Sequence, residues 1–212
     1  MKALTEDMFC RALEERHGAE LQKKFSAASV AICGLGGLGS NIAIALVRAG
    51  IGRIHLIDFD RVDVSNLNRQ QYFADQLGMY KTDALCSNLM RISPVCEISA
   101  SCVKLCEENI PSLLKNDDII CEAFDDAEEK AMLVNTVLET FPEKYLIAAA
   151  GMAGLSSANS IKTKKVTKRF YICGDGVSDV GDGMCLFSSR VMLCAAHQAH
   201  MILRLIAGEA DI

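Results

Sequence analysis

Residues 34 to 39 read Gly34-Leu35-Gly36-Gly37-Leu38-Gly39, a G-x-G-x-x-G spacing set between the apolar run Val30-Ala31-Ile32-Cys33 and a segment of small and apolar residues from Leu38 to Ala49. Between a strand and a helix, such a turn can seat a phosphate. The first glycine allows a tight turn, the second lets the backbone approach phosphate oxygens, and the helix N-terminus offers free N–H groups and the positive end of its dipole. Asp58 ends the next predicted strand, Arg53 to Ile57, at the distance where an acid accepts hydrogen bonds from a ribose. Together these features predict a nucleotide site and leave two nucleotides in play, a nicotinamide dinucleotide and ATP.

The stretch from Asp58 to Gln71, DFDRVDVSNLNRQQ, separates the two. It crowds carboxylates, amides and arginine just past a strand end. Hydride transfer needs no such density of groups, whereas nucleotidyl transfer does, because charge builds on the α-phosphate and the departing pyrophosphate. An NAD-dependent oxidoreductase therefore stands as the rival class, behind an ATP-using nucleotidyltransferase.

The elements that must position these residues follow from the pattern of apolar positions. Met8, Phe9, Leu13, Leu21 and Phe25 sit at helical spacing among charges, predicting one amphipathic helix or two interrupted at Gly18. Strand, glycine turn, helix and strand then complete a βαβ unit between Val30 and Ile57. Residues 61–74 are polar and irregular, and Gln76 to Met90 resumes helical spacing, closed by Pro94. Beyond it the pattern predicts strand 97–103, helix 107–114, strand 118–121, helix 127–140 and strand 145–149. Alternating helices and continuously apolar strands imply an α/β fold, a Rossmann-like, mainly parallel sheet with helices on both faces. Antiparallel strands within 160–172, a glycine- and aspartate-rich loop at 174–183 and a final helix at 190–205 close the chain. The expected organisation is one domain over 1–212: a helical segment at 1–28, a nucleotide-binding core at 29–150, and the strands, mobile loop and helix at 151–212.

A formal charge of −5 argues against a nucleic-acid partner, which needs a dense cationic face. The four lysines of Lys162 to Lys168 read as a solvated surface. Ten cysteines include no Cys-x-x-Cys pair, and most lie in apolar segments where a thiol behaves as a small hydrophobe, so a reducing, cytoplasmic setting is expected. The first 20 residues lack the apolar stretch of a signal peptide, and no run approaches the roughly 18 apolar residues of a membrane span.

The segment GLGGLGSNIAIALVRAGIGRIHLIDFDRVDVSNLNRQQY closely resembles the adenylation domain of the ThiF and MoeB family, relatives of the ubiquitin-activating enzymes. The likeness is dense from Val30 to Lys81, continues to Asp126 and returns in Arg190 to Ile206. It implies adenylation of a carboxylate by ATP with Mg2+. Gly34, Gly36, Gly37 and Gly39 would form the phosphate turn, the last three hugging the phosphates, with Asp58 and Asp60 at the nucleotide. Asn66 and Arg69 would contact the phosphates, Lys81 would reach them as a mobile charge, and Asp125 would stand near magnesium, with Asp126 either supporting it or capping a helix. Arg11 occupies the place of an arginine given to the other subunit's ATP in a homodimer. The glutamine that follows that arginine in relatives is missing here, and Arg16 competes for the role.

Larger bacterial members carry two Cys-x-x-Cys pairs for a structural zinc. Their absence places this chain with the short, zinc-free ThiF-like forms, and no zinc is expected. His197 and His200 read as packed or capped rather than as ligands. Cys185, beside the glycine-rich loop, is the best candidate for a cysteine in onward transfer, although a structural role is the more ordinary reading. The implied partner is a ubiquitin-fold sulfur carrier ending in Gly-Gly, ThiS-like, with a MoaD-type carrier as alternative.

Overall fold

The computed structural model describes residues 5–212; the first four residues of the N-terminal reading lie outside it. Helices α1 (Glu6–His17) and α2 (Ala19–Ala27) meet at Gly18, whose backbone turns into the left-handed half of conformational space, so the interrupted helix of the sequence pattern is two helices. Thr5 caps α1 by accepting from Met8 N. None of the side chains of α1 is buried, and it lies on the outside of the fold.

Seven strands form one sheet in the order β3-β2-β1-β4-β5-β7-β6. These are β1 (Ser29–Cys33), β2 (Arg53–Ile57), β3 (Glu97–Ser101), β4 (Ile119–Glu122), β5 (Tyr145–Ala149), β6 (Lys162–Lys165) and β7 (Phe170–Gly174). All neighbours run parallel except β6 and β7. The antiparallel pair expected within 160–172 is there, but β7 also runs parallel to β5, so only the edge strand β6 is reversed. Every residue of β1 and β4 is buried, which is why their sequences are unbroken apolar runs with no polar alternation, apart from the terminal Ser29 and Glu122.

One face of the sheet packs on α3 (Gly37–Arg48), α4 (Lys81–Met90) and α7 (Ser188–Ala207), through Ile32, Ile42, Leu46, Leu85, Ile202 and their neighbours. The other packs on α5 (Ile110–Leu113) and α6 (Ala127–Thr140), through Ala31, Ile57, Leu133 and Val137. Among the described residues no helix is long and apolar enough to cross a membrane.

This order has a direct consequence for function. From β1 the chain crosses to β2 on one side, and β4 lies on the other. At such a switch the loops leaving the carboxyl ends diverge and open a crevice, where α/β sheets take their ligands. The glycine turn leaves β1 there, Asp58 follows β2, and Phe124 and Asp125 follow β4. The parallel β5 and β7 send residues 150–161 and 175–187 out at the same edge.

Candidate active site

Four glycines of the turn meet different surroundings. Gly34 has φ +92°, and a Cβ there would come within 2.8 Å of Ala123 O and 2.9 Å of Phe124 Cδ1. Its lack of a side chain lets the turn after β1 lie against the turn after β4. A Cβ on Gly37 would press on Val191 Cγ1 of α7 at 2.9 Å, and one on Gly39 would overlap Gly34 O. Gly36 differs, because its φ is negative and the nearest atom to its Cβ position is Gln70 Nε2 at 3.7 Å. Packing within the fold explains three glycines and leaves Gly36 bordering space that a ligand can fill. Helix α3 starts here with no side-chain cap, and its first ladder bond runs from Ser40 N to Gly36 O, so the amides ahead of Ser40 have no ladder partner, the arrangement that an anion site requires.

The turn is held from below. Asp58 Oδ2 accepts from Leu35 N at 2.6 Å and Oδ1 from Asp60 N at 2.7 Å, while Tyr72 Oη donates to Leu35 O at 2.8 Å. Asp58 is 8% exposed; burial raises its pKa, and the nearby Lys81 ammonium and the two amides oppose the rise. Asp58 thus anchors the glycine turn, and each of its oxygens keeps a lone pair for a ligand. Lys81, at the first position of α4 and 6% exposed, donates to Asp60 Oδ2 at 2.7 Å. Asp60 is thereby the resting partner of a lysine beside the turn.

Residues 63–71 form a laced strip against α3. Asn66 closes a capping box on Asp63, accepting from Asp63 N at 3.1 Å. Asn41 of α3 donates to Gly37 O and Arg69 O, and Gln71 donates to Asn41 Oδ1. The Arg69 stem passes 3.4 Å from the Cβ position of Gly37, and its half-buried side chain donates through the guanidinium to Ser65 O and Asn68 Oδ1. A cation is therefore tethered beside the helix N-terminus with no carboxylate partner among the described residues.

Across the crevice, Asp125 is exposed, while Asp126 caps α6 by accepting from Glu128 N and Glu129 N at 2.9 and 2.8 Å. The cap reading of Asp126 is the one realised. Beneath them lies a pair the sequence reading passed over. Glu122, wholly buried, takes Lys130 Nζ on both oxygens at 2.7 Å and accepts from Phe124 N and Ala149 N. Lys130 also donates to Phe124 O. The pair fixes the turn that presents Asp125. Its signal was in view: a glutamate closing the apolar run Ile119-Ile120-Cys121 must be paired to be buried.

Comparison with known proteins now decides the family. The model of the ThiF family matches residues 9–211. The chain belongs to the ThiF family. It is 33% identical over 136 residues to a sulfur carrier protein adenylyltransferase of Thermus thermophilus, covering 64% of this chain and 45% of that protein. With the adenylyltransferase and sulfurtransferase MOCS3 of Drosophila yakuba it shares 34% over 199 residues, 92% of this chain and 44% of the relative. The chain thus spans less than half the length of these curated relatives. Its fold matches that of the E. coli tRNA N6-threonylcarbamoyladenosine dehydratase TcdA, solved in complex with ATP, with a TM-score of 0.86, 20% identity and coverage of 99% and 98%. E. coli MccB matches at a TM-score of 0.69 and 22% identity, over 89% of this chain and 59% of that one.

In this ThiF-family chain, not every residue singled out in the sequence joins the site. Arg11 points to solvent from α1 and pairs with Asp7 at 3.0 Å. Leu13 of the same helix lies against Gly50, past the far end of α3, so α1 sits at the end of α3 opposite the glycine turn of its own chain. Arg16 is exposed on the same helix. His197 bonds Thr163 Oγ1 through Nδ1 at 3.1 Å, and burial with His200 beside it lowers its pKa. Burial raises the thiol of Cys173 to about 11 and of Cys194 to about 12, keeping both protonated and unreactive, while Cys185 is an exposed free thiol in the loop before α7.

Arg190, buried in the first turn of α7, organises the neighbouring loops. It donates to Ala153 O, Ser156 O, Ser157 O, Ser160 Oγ and, at 2.6 Å, to Asp175 Oδ2. Asp175 also accepts from Val177 N and Ser178 N. Burial alone would raise its pKa, but the Ser178 and Val177 amides, the Ser178 hydroxyl and Arg190 outweigh that and hold it at about 2.

Among the described residues no group of three or more His, Cys, Asp or Glu could hold a metal ion. Magnesium needs no such cage, since one carboxylate with phosphate oxygens and water completes its octahedron, and exposed Asp125 fits that requirement. A cavity of about 440 Å3 between Asp117 and Arg169 opens at the opposite, amino edge of the sheet, and no residue of the glycine turn lines it.

Proposed function

We propose that this chain adenylates the C-terminal glycine carboxylate of a ubiquitin-fold sulfur carrier protein, taking ATP at the turn 34–39. One observation carries the reading: an uncapped helix N-terminus opening at Gly36 has Arg69 tethered beside it, with Lys81 at the start of α4 and Asp58 and Asp125 on the loops around it. That set matches a polyanion that must also lose pyrophosphate. The names of the curated relatives support the same chemistry, and because the chain spans under half of them, activity, substrate and partners are all part of the proposal.

The carboxylate oxygen attacks the α-phosphorus, the bond to the bridging oxygen of pyrophosphate breaks, and a mixed anhydride of carrier and AMP remains. No general base is required, since the carboxylate is already ionised at neutral pH. The α3 amides hold phosphate oxygens. Asp58 keeps the turn in shape and lends its free lone pairs to the ribose. Asn66 and Arg69 bind phosphates, with Arg69 offsetting the charge that builds in the transition state, and Lys81 leaves Asp60 to join it. Asp125 would hold magnesium, which neutralises the triphosphate. Positioning and charge neutralisation account for the rate.

The exposed apolar rim of Leu155, Val177, Val180, Met184 and Phe187, on loops at this edge, suits a carrier that lays its body on the rim and threads its tail inward. A net charge of −5 favours such a protein partner over a tRNA. Within the class we assign a ThiS-like carrier and the thiamine thiazole pathway, on the likeness to ThiF-family members without Cys-x-x-Cys pairs; a MoaD-type carrier is the alternative. Arg11 faces away from its own site, so its assigned role requires a second copy and a homodimer. We read residues 1–212 as one adenylation domain and place it in the cytoplasm.

Incubation with purified carriers, ATP and magnesium, followed by mass spectrometry of the intact carrier, tests this. The expected result is a carrier bearing one AMP. Thermal protection by NAD with none by ATP would return the chain to the oxidoreductase class.

A further inference from the structure

One buried side chain beside the turn has no partner within the fold. Gln70 is 8% exposed, and its Oε1 is sealed from solvent with no hydrogen-bond partner among the described residues. Its Nε2 faces the space in front of Gly36, 3.7 Å from where a Cβ would stand. Burying an amide without partners costs roughly 1–3 kcal/mol, so folds rarely keep one unless something else binds it.

Its surroundings are built to hold it still. Gln70 N donates to Asn66 O, Asn41 ties down Arg69 O, Ser40 Oγ accepts from Gln71 N, and Asn88 donates to Gln71 O. Every neighbouring side chain of the strip except Gln70 is engaged: Asn66 with Asp63, Arg69 with Ser65 and Asn68, Gln71 with Asn41. Gly36 in turn is the glycine of the turn whose missing side chain no packing contact explains. The unpartnered amide and the unexplained glycine face the same space.

We infer that Gln70 is a nucleotide-binding residue whose amide donates through Nε2 to a phosphate oxygen of the nucleotide seated against Gly36. A neutral donor fits this place, since a phosphate oxygen only accepts. This inference rests on the ATP reading above and adds a contact to it.

The test compares wild type with Gln70→Met, which keeps the side-chain length and removes both polar atoms, and with Gln70→Asn, which keeps the amide but withdraws it. Melting of the full chain is followed with and without Mg-ATP, and ATP affinity is titrated. Since the amide serves no internal bond, Gln70→Met melts at or above the wild-type temperature without ligand, yet loses most of the ATP-induced rise and binds ATP about tenfold more weakly, as does Gln70→Asn. If Gln70→Met melts several degrees lower and binds ATP as wild type does, the amide has a structural partner and the inference falls alone. If wild type itself gains no stability from ATP, the adenylation reading falls, and this inference with it.

Discussion

The carboxylates Asp125 and Asp126 are adjacent in sequence and differ in task, and substitution separates them. Asp126→Ala removes an N-cap and should lower stability by about 1 kcal/mol with modest loss of activity. Asp125→Asn leaves the fold intact because its side chain is exposed, and should abolish magnesium-dependent adenylation; denaturant melts beside a carrier-adenylation assay read both. The glycines divide in the same way. Gly37→Ala and Gly39→Ala force contacts with Val191 and Gly34 O and should cost roughly 1–3 kcal/mol in stability. Gly36→Ala, with room for its methyl group, should melt near wild type and bind ATP at least about tenfold more weakly, a comparison that calorimetry can make.

At this scale the sequence was only half legible. The G-x-G-x-x-G spacing marks a turn, but it cannot say which glycine serves packing and which serves a ligand, because that depends on β4, α7 and Gln70, all distant in sequence or pointing inward. The Glu122–Lys130 pair leaves no periodic trace. Asp60 stands in the charged motif, but its pairing with Lys81 shows only once the chain between them has closed, through Val62 N to Met79 O and Lys81 N to Asp60 O.

At the scale of elements, continuous apolar runs and caps made β1, β2, β5 and α6 readable to within a residue. Departures have local causes. The helix expected from Gln76 begins at Lys81, because Gln76 turns inward to bond Phe73 N, Ala84 O and Asn88, and Gly78 takes a positive φ. The helix expected over 107–114 shrinks to Ile110–Leu113, where Pro111 has no N–H to give and is tolerated only in a first turn.

The contact of α7 with the loops after β5 and β7 depends on Arg190 and Asp175, and yields a pH prediction. The folded-state pKa of Asp175 lies below its unfolded value, so its contribution is fully present above about pH 4 and is lost as the pH falls towards about 2. Asp175→Asn should therefore be roughly 2–3 kcal/mol less stable than wild type at pH 6. That gap should close in urea titrations carried down to pH 2; a gap independent of pH would refute the assignment.

For the whole molecule, the sheet order places every loop of the site at one edge and leaves α1, with no buried side chain, outside. The family and the fold followed from the dense motif over Val30 to Lys81 together with the alternation of elements. Which carrier is served did not: in the proposed reading recognition falls to Leu155, Val177, Val180, Met184 and Phe187, exposed residues whose spacing obeys no periodicity.

The central claim, transfer of AMP to a carrier carboxylate, is tested most directly by exchange of labelled pyrophosphate into ATP with purified ThiS-like carrier. Exchange should require magnesium and the intact Gly-Gly tail, and should fall by a factor of about 100 to 1,000 in Arg69→Ala without loss of fold. Exchange that proceeds unchanged in Arg69→Ala, or without any carrier, would contradict the account.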